Sequence, residues 1–145
     1  MKFTRIRDVK SPTRANSTDA GIDFFIPNDF DKEILEPGEK ILIPSGVRVN
    51  VPEGYALVAF NKSGIATKRD LQVGACVVDH GYQGEVHIHV FNYGNDQQHL
   101  HAGDKIVQFV LLPLGDPAIE EVNEEELYTS ISSRGTGGFG SSGTK

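Results

Sequence analysis

The chain has 145 residues and a mass of 15.8 kDa, which suits a single domain able to bury ~70% of its unfolded surface without staples. Acidic residues outnumber basic ones by 20 to 14, a net charge of −6, the reverse of the balance that grips duplex nucleic acid, so no nucleic-acid partner is expected. The lone Cys76 excludes an internal disulfide and a Cys-based zinc cluster; no run nears the ~20 apolar residues of a membrane helix, and none follows the mildly basic start, so neither signal peptide nor membrane partner is expected and the compartment reads as cytoplasmic, the host cell's were the chain viral.

The pattern predicts strands almost throughout, an all-β fold with one short helix. Pro37-Gly38 and Ser45-Gly46 read as turns. Val47, Val49 and Val51 alternate with Arg48 and Asn50, the period-2 mark of a half-buried strand. After a turn at Pro52-Glu53-Gly54, the apolar run Tyr55 to Phe60 predicts a strand buried on both faces. Helix formers between strand-like runs predict a helix over Ser63 to Arg69. Asp79 to Gly84 reads as a hairpin tip between Val77-Val78 and the strand that starts at Glu85. In that strand Val86, Ile88 and Val90 alternate with His87 and His89. Turns at Tyr93 to Asp96 and Ala102 to Asp104 precede a second apolar run, Ile106 to Leu112, again expected to be buried on both faces. Short strands at such spacing point to a sandwich, jelly roll or barrel. Glu120, Glu121, Glu124, Glu125 and Glu126 read as a solvated connector. Residues 134–145, RGTGGFGSSGTK, carry five glycines, so a mobile arm is expected. The arm also holds an arginine and an aromatic residue, which a plain linker does not need. The expected organisation is one domain over 1–133 and a flexible arm over 134–145.

Four segments carry side chains suited to chemistry. Asn61-Lys62-Ser63-Gly64 ends a strand and opens the predicted helix; a cation, a hydroxyl and free helix amides make a phosphate-binding corner, although Ser-Gly after a strand is also an ordinary turn. Asp79 enters a loop apex after an apolar run, the place for a general base acting on water or for a turn aspartate that caps its own backbone. His87 and His89, and again His99 and His101, are spaced to share a strand face, a pattern open to zinc ligation or to plain solvation. Gln108 lies inside a strand expected to be buried, where it must pair with backbone or reach a ligand.

Five segments, AGIDFF at 20–25, NKSGIA at 61–66, GACVVDHGYQGE at 74–85, GDKIVQF at 103–109 and RGTGGFGSSG at 134–143, resemble in order the motifs of the trimeric dUTP pyrophosphatases (dUTPases). The resemblance implies a distorted jelly-roll β-barrel that forms a homotrimer with shared active sites closed by the C-terminal arm. It implies hydrolysis of dUTP to dUMP and pyrophosphate with Mg²⁺, which limits uracil in DNA and supplies dUMP for thymidylate synthesis. Asp79 would be the catalytic base for water attack at the α-phosphorus. Tyr82 would pack on the deoxyribose and exclude a 2′-hydroxyl. Backbone groups of Gly74, Ala75, Cys76 and Val78 would read the uracil edge. Lys62, Ser63, Gly64 and Gln108 would hold phosphate oxygens. Arg134 would meet the γ-phosphate, Phe139 with Gly140 would cover the uracil, and Ser141 and Ser142 would hold the terminal phosphate. No side chain would bind the metal directly; Mg²⁺ would ride on triphosphate and water, with Asp23 supporting that end through water or a neighbouring basic residue.

Two positions depart from the family pattern. Lys62 stands where arginine is usual, and lysine lacks the planar bidentate fork. Cys76 stands where glycine is usual, so its side chain must point away from the base. Two other functions fit parts of the pattern: dCTP deamination, which in the related deaminases uses a glutamate at the position of His89, and nucleotide-dependent regulation of a partner on the same scaffold.

Overall fold

The computed structural model describes residues 1–115, 118–138 and 141. It divides into two compact units, Met1–Gly115 and Asp116–Lys145. The first unit carries the sheets. Its strands are β1 (Lys2–Arg5), β2 (Ile22–Phe24), β3 (Glu33–Leu35), β4 (Lys40–Asn50), β5 (Tyr55–Asn61), β6 (Leu71–Val73), β7 (Val77–Val78), β8 (Glu85–Asn92), β9 (Gln98–Leu100) and β10 (Val107–Pro113), with helix α1 at Ser63–Arg69. The fold is all-β with one short helix, as its sequence pattern predicts.

The strands form a four-stranded sheet in the order β1-β4-β8-β6, a second in the order β2-β10-β5-β7, and the pair β3-β9. Every pairing is antiparallel. Among the described residues the sheets do not close into a continuous barrel; the architecture is a jelly-roll-like stack of open sheets. β8 shows why the alternation forms a strand: Val86, Ile88 and Val90 are buried while His87 and His89 on the opposite face are half-exposed. The inner faces meet in one core. Phe24, Leu57 and Phe109 enter from one sheet, and Ile43, Val47, Ile88 and Val90 from the other. The Phe24 and Phe109 rings lie 4.5 Å apart in a tilted arrangement, a contact that adds to burial worth ~1.5–3 kcal/mol per large side chain.

Three expectations are corrected. Ser45-Gly46 is no turn: β4 runs through it, and the pairing with β8 slips between Pro44 and Arg48. Gly46 takes φ +73° there, the left-handed backbone a bulge uses to keep a strand going. Asp79 to Gly84 is no hairpin tip either, because β7 pairs with β5 whereas β8 pairs with β4 and β6; the segment crosses between sheets. The apolar runs also bury only one face fully, since Phe60 is 43% exposed and Gln108 is half-buried.

In the second unit a single turn of 3-10 helix at Glu124–Glu126 follows Asn123, whose amide donates to the Glu126 carboxylate at 3.3 Å. Glu120, Glu121, Glu124, Glu125 and Glu126 are all exposed, as a solvated connector requires. No helix of the described residues is long and apolar enough to cross a membrane.

Candidate active site

The charge centre of the molecule is built on Asp23, which is 4% exposed. The pairing of β2 with β10 sets Asp23 opposite Gln108. Lys62, at the end of β5, donates to one carboxylate oxygen, and Lys105, in the turn before β10, donates to the other at 2.8 Å. Burial acts to raise the Asp23 carboxyl, but the hydrogen bonds and charges of Lys105 and Lys62 outweigh it and hold it below 3.8. Two lysines meet one carboxylate at this corner.

That corner lines a cleft of about 460 Å³ together with Gly21, Asn61 and Gln108, and Asp19 also lines the cleft beside the lysines. Gln108 donates from Nε2 to the Asn61 carbonyl at 2.9 Å, and its other N–H remains for a ligand. The side chain rests on Gly21, where an added Cβ would come within 2.0 Å of Oε1. Ser63 and Gly64 are exposed and open α1 beside Lys62. Their amides have no partner within the helix, and no side chain caps that end. Lys62, Ser63, Gly64, Gln108 and Asp23 are therefore brought together. Sequence reasoning missed Lys105; its signal was a cation in the turn preceding Gln108, but the register that aims it at Asp23 is not visible in the chain order.

The segment 74–82 forms a second cleft. Ala75, Cys76, Val77, Val78 and Tyr82 line a hollow of about 240 Å³ with His87 and Phe109. The Cys76 carbonyl accepts from the Ala59 amide at 2.7 Å, which anchors the segment to β5. The Gly74 amide donates to the His89 carbonyl at 3.0 Å, and the Ala75 amide donates to His89 Nδ1 at 2.7 Å. Tyr82 donates from its hydroxyl to the Glu85 carbonyl at 3.0 Å and remains 46% exposed. Asp79 is exposed.

The two clefts share no lining residue. Val78 pairs with Leu57, so Asp79 lies at the level of Ala56, five residues along β5 from Asn61 and ~17 Å of strand away. Within one chain Asp79 therefore does not meet Lys62, Ser63 or Gln108.

In the second unit the Arg134 guanidinium donates to the Gly137 carbonyl at 2.9 Å, and Ser141 donates its amide to Gly138 at 3.0 Å. Phe139, Gly140 and Ser142, expected to cover base and phosphate, lie outside the described residues.

The histidines do not converge. His87 and His89 lie on β8, whereas His99 lies on β9 in another sheet and stacks on His101 at 6.4 Å. Among the described residues no three His, Cys, Asp or Glu side chains are placed to share a metal ion.

Residues 7–143 match the family model described as dUTPase. The deoxyuridine 5'-triphosphate nucleotidohydrolase of Mus musculus is 34% identical over 99% of this chain and 85% of its own length. That of fowlpox virus is 36% identical over 94% of this chain and 91% of its own. Among solved structures, the Staphylococcus bacteriophage 80alpha dUTPase with dUPNHPP superposes with a TM-score of 0.85 at 29% identity, covering 98% of this chain and 97% of that one. A mutant dUTPase from phage phi11 of S. aureus, described with a structural Mg(II) ion, gives 0.77 at 26% identity over 89% and 98%.

Proposed function

Because the chain belongs to the dUTPase family, we propose that it hydrolyses dUTP to dUMP and pyrophosphate. The observation that carries this reading is the Lys62–Asp23–Lys105 corner beside Gln108, Ser63 and Gly64. A triphosphate brings about four negative charges to a protein of net charge −6; only a placed group of cations and amides can receive it.

Asp79 takes a proton from water as that water attacks the α-phosphorus. The bond from this phosphorus to the bridging oxygen breaks, and pyrophosphate leaves with its electron pair. Such a transfer depends on positioning and on stabilising the leaving charge, the work of Gln108, Ser63, Gly64 and the two lysines. Tyr82, pinned by its hydroxyl to Glu85, presents its ring to the sugar and leaves no space for a 2′-hydroxyl. Arg134, Phe139, Gly140, Ser141 and Ser142 close over the nucleotide from the 134–145 arm.

Asp79 and the phosphate corner stand apart within one chain. A complete site thus takes Asp79 and Tyr82 from one copy and Lys62, Ser63 and Gln108 from another, which supports sites shared between copies; a homotrimer is the assembly that the family resemblance implies.

Both Asp23 oxygens are engaged by lysine, so the donor set suits a metal carried on the triphosphate rather than one held in a protein cage. Mg²⁺ bound there would neutralise phosphate charge, and Asp23 keeps the neighbouring lysines in place.

Deamination of dCTP is disfavoured by His89, whose Nδ1 is spent on the Ala75 amide where a catalytic carboxylate would be needed. Pyrophosphate release from dUTP, dCTP, dTTP and UTP, with and without Mg²⁺, tests the reading. Release from dUTP alone, dependent on Mg²⁺, is expected; ammonia from dCTP, or no release from dUTP, overturns it.

A further inference from the structure

His89 faces outward from β8, yet its imidazole is not left to solvent. Nδ1 accepts the Ala75 amide at 2.7 Å, and the carbonyl of the same residue accepts the Gly74 amide at 3.0 Å. The ring also fills the space above Gly74, where an added Cβ would stand 2.2 Å from Nδ1 and 2.4 Å from Cε1. One residue thus holds two successive amides of a short segment and covers its glycine. Among the described residues the carbonyls of Gly74 and Ala75 and the amide of Cys76 form no hydrogen bond within the protein.

We propose that His89 is a positioning and specificity-determining residue that turns the 74–76 backbone so that the Ala75 carbonyl and the Cys76 amide, on the two residues of the segment that line the hollow, remain to read a base. The proposal rests on the dUTPase reading for the identity of that base. A pyrimidine edge of the uracil kind alternates acceptor, donor and acceptor. It needs a backbone carbonyl for its N–H and amide donors for its carbonyls. If the Gly74 and Ala75 amides were free, the segment would offer a run of donors with no fixed order. With both committed to His89, the remaining groups present a carbonyl next to one amide, a pattern that selects a ring N–H over a ring nitrogen acceptor. The segment is otherwise exposed from Gly74 to Cys76, so little besides His89 and the Cys76–Ala59 bond fixes it.

An amide donating to Nδ1 requires that nitrogen to be unprotonated, so neutral His89 must carry its proton on Nε2. Long-range ¹H–¹⁵N correlation of the whole protein reads this directly. The Nε2–H form is expected, and an Nδ1–H form overturns the proposal. This measurement does not depend on catalysis, so it separates a failure here from a failure of the dUTPase reading.

Kinetics supply the second arm. His89→Leu keeps apolar bulk but has no acceptor, and His89→Asn places an oxygen near the position of Nδ1. The leucine variant is expected to raise KM for dUTP about tenfold, with a much smaller change in kcat, as loss of binding common to ground and transition states does. It should also narrow the preference for dUTP over dCTP. The asparagine variant is expected to restore most of both. A leucine variant with wild-type KM and preference, or an asparagine variant as impaired as leucine, overturns the proposal, because bulk alone would then explain the histidine.

Discussion

Asp23 and Lys105 are separated by 82 residues in sequence, yet their carboxylate and ammonium meet at 2.8 Å. The contact exists because β2 and β10 pair antiparallel, which sets Val107 opposite Phe24 and Gln108 opposite Asp23. Lys62 closes the other side from β5, which pairs with β10 on its far edge. A buried charge of this kind is tolerated only when both oxygens are satisfied, and here both partners are lysines that border the cleft.

The Asp23 carboxyl is held below its ordinary 3.8 in the folded chain, so its contribution to stability is full above the unfolded value and fades as pH falls through the folded one. Asp23→Asn is expected to cost about 1–3 kcal/mol near neutral pH, the worth of hydrogen bonds to a charged group. The gap to wild type should close in strong acid. Urea unfolding of both proteins across that range measures it; a gap independent of pH would contradict the pairing.

Asp79→Asn keeps shape and removes the proposed base. Turnover of dUTP is expected to fall by at least ~100-fold, the usual scale for loss of a general base, with nucleotide affinity little changed. Single-turnover kinetics and calorimetric binding of a non-hydrolysable analogue separate the two. Near-normal turnover would remove Asp79 from the role.

Gly21→Ala tests the seat of Gln108. A methyl group there collides with Oε1 and must swing the amide off the Asn61 carbonyl. A rise in KM similar to that of Gln108→Ala is expected, with the melting temperature lowered only modestly because the cleft is open to solvent. An unchanged KM would show that Gln108 does not hold the ligand.

Tyr82→Ala should raise UTP use relative to dUTP. The ring is fixed through its hydroxyl on Glu85 and borders two clefts, so its removal opens space where a 2′-hydroxyl would otherwise clash. Competition between the two nucleotides measures the ratio directly, and a constant ratio places sugar discrimination elsewhere.

Removing residues 134–145 should lower turnover by about 100-fold, the scale of a lost positioning element, while leaving melting of the first unit unchanged. Among the described residues the whole buried hydrophobic core, from Val9 to Phe109, lies within Met1–Gly115. A fully active truncated chain would make the arm dispensable.

Local pattern carried much of the fold. Helix α1 occupies Ser63–Arg69 as helix propensity between strands predicts, and the valines of β4 and β8 bury the side that their alternation marks. The short strands β2, β3, β6, β7 and β9 have only two or three residues each, too few for a period to register. Ser45-Gly46 reads as a turn in sequence because a bulge and a turn use the same backbone chemistry. The site divided along the same line. Residue type and motif mark Lys62, Ser63, Gly64 and Gln108 as candidate phosphate groups and Asp79 as a candidate base, and the structure gathers the first four around Asp23. The Lys105–Asp23 bond and the seat of His89 on Gly74 and Ala75 depend on register between strands far apart in the chain.

Hydrolysis of dUTP in H₂¹⁸O tests the central chemistry most directly. Water attack at the α-phosphorus places the label in dUMP and none in pyrophosphate, the predicted result. Label in pyrophosphate would mean attack at the β-phosphorus and would contradict the role given to Asp79.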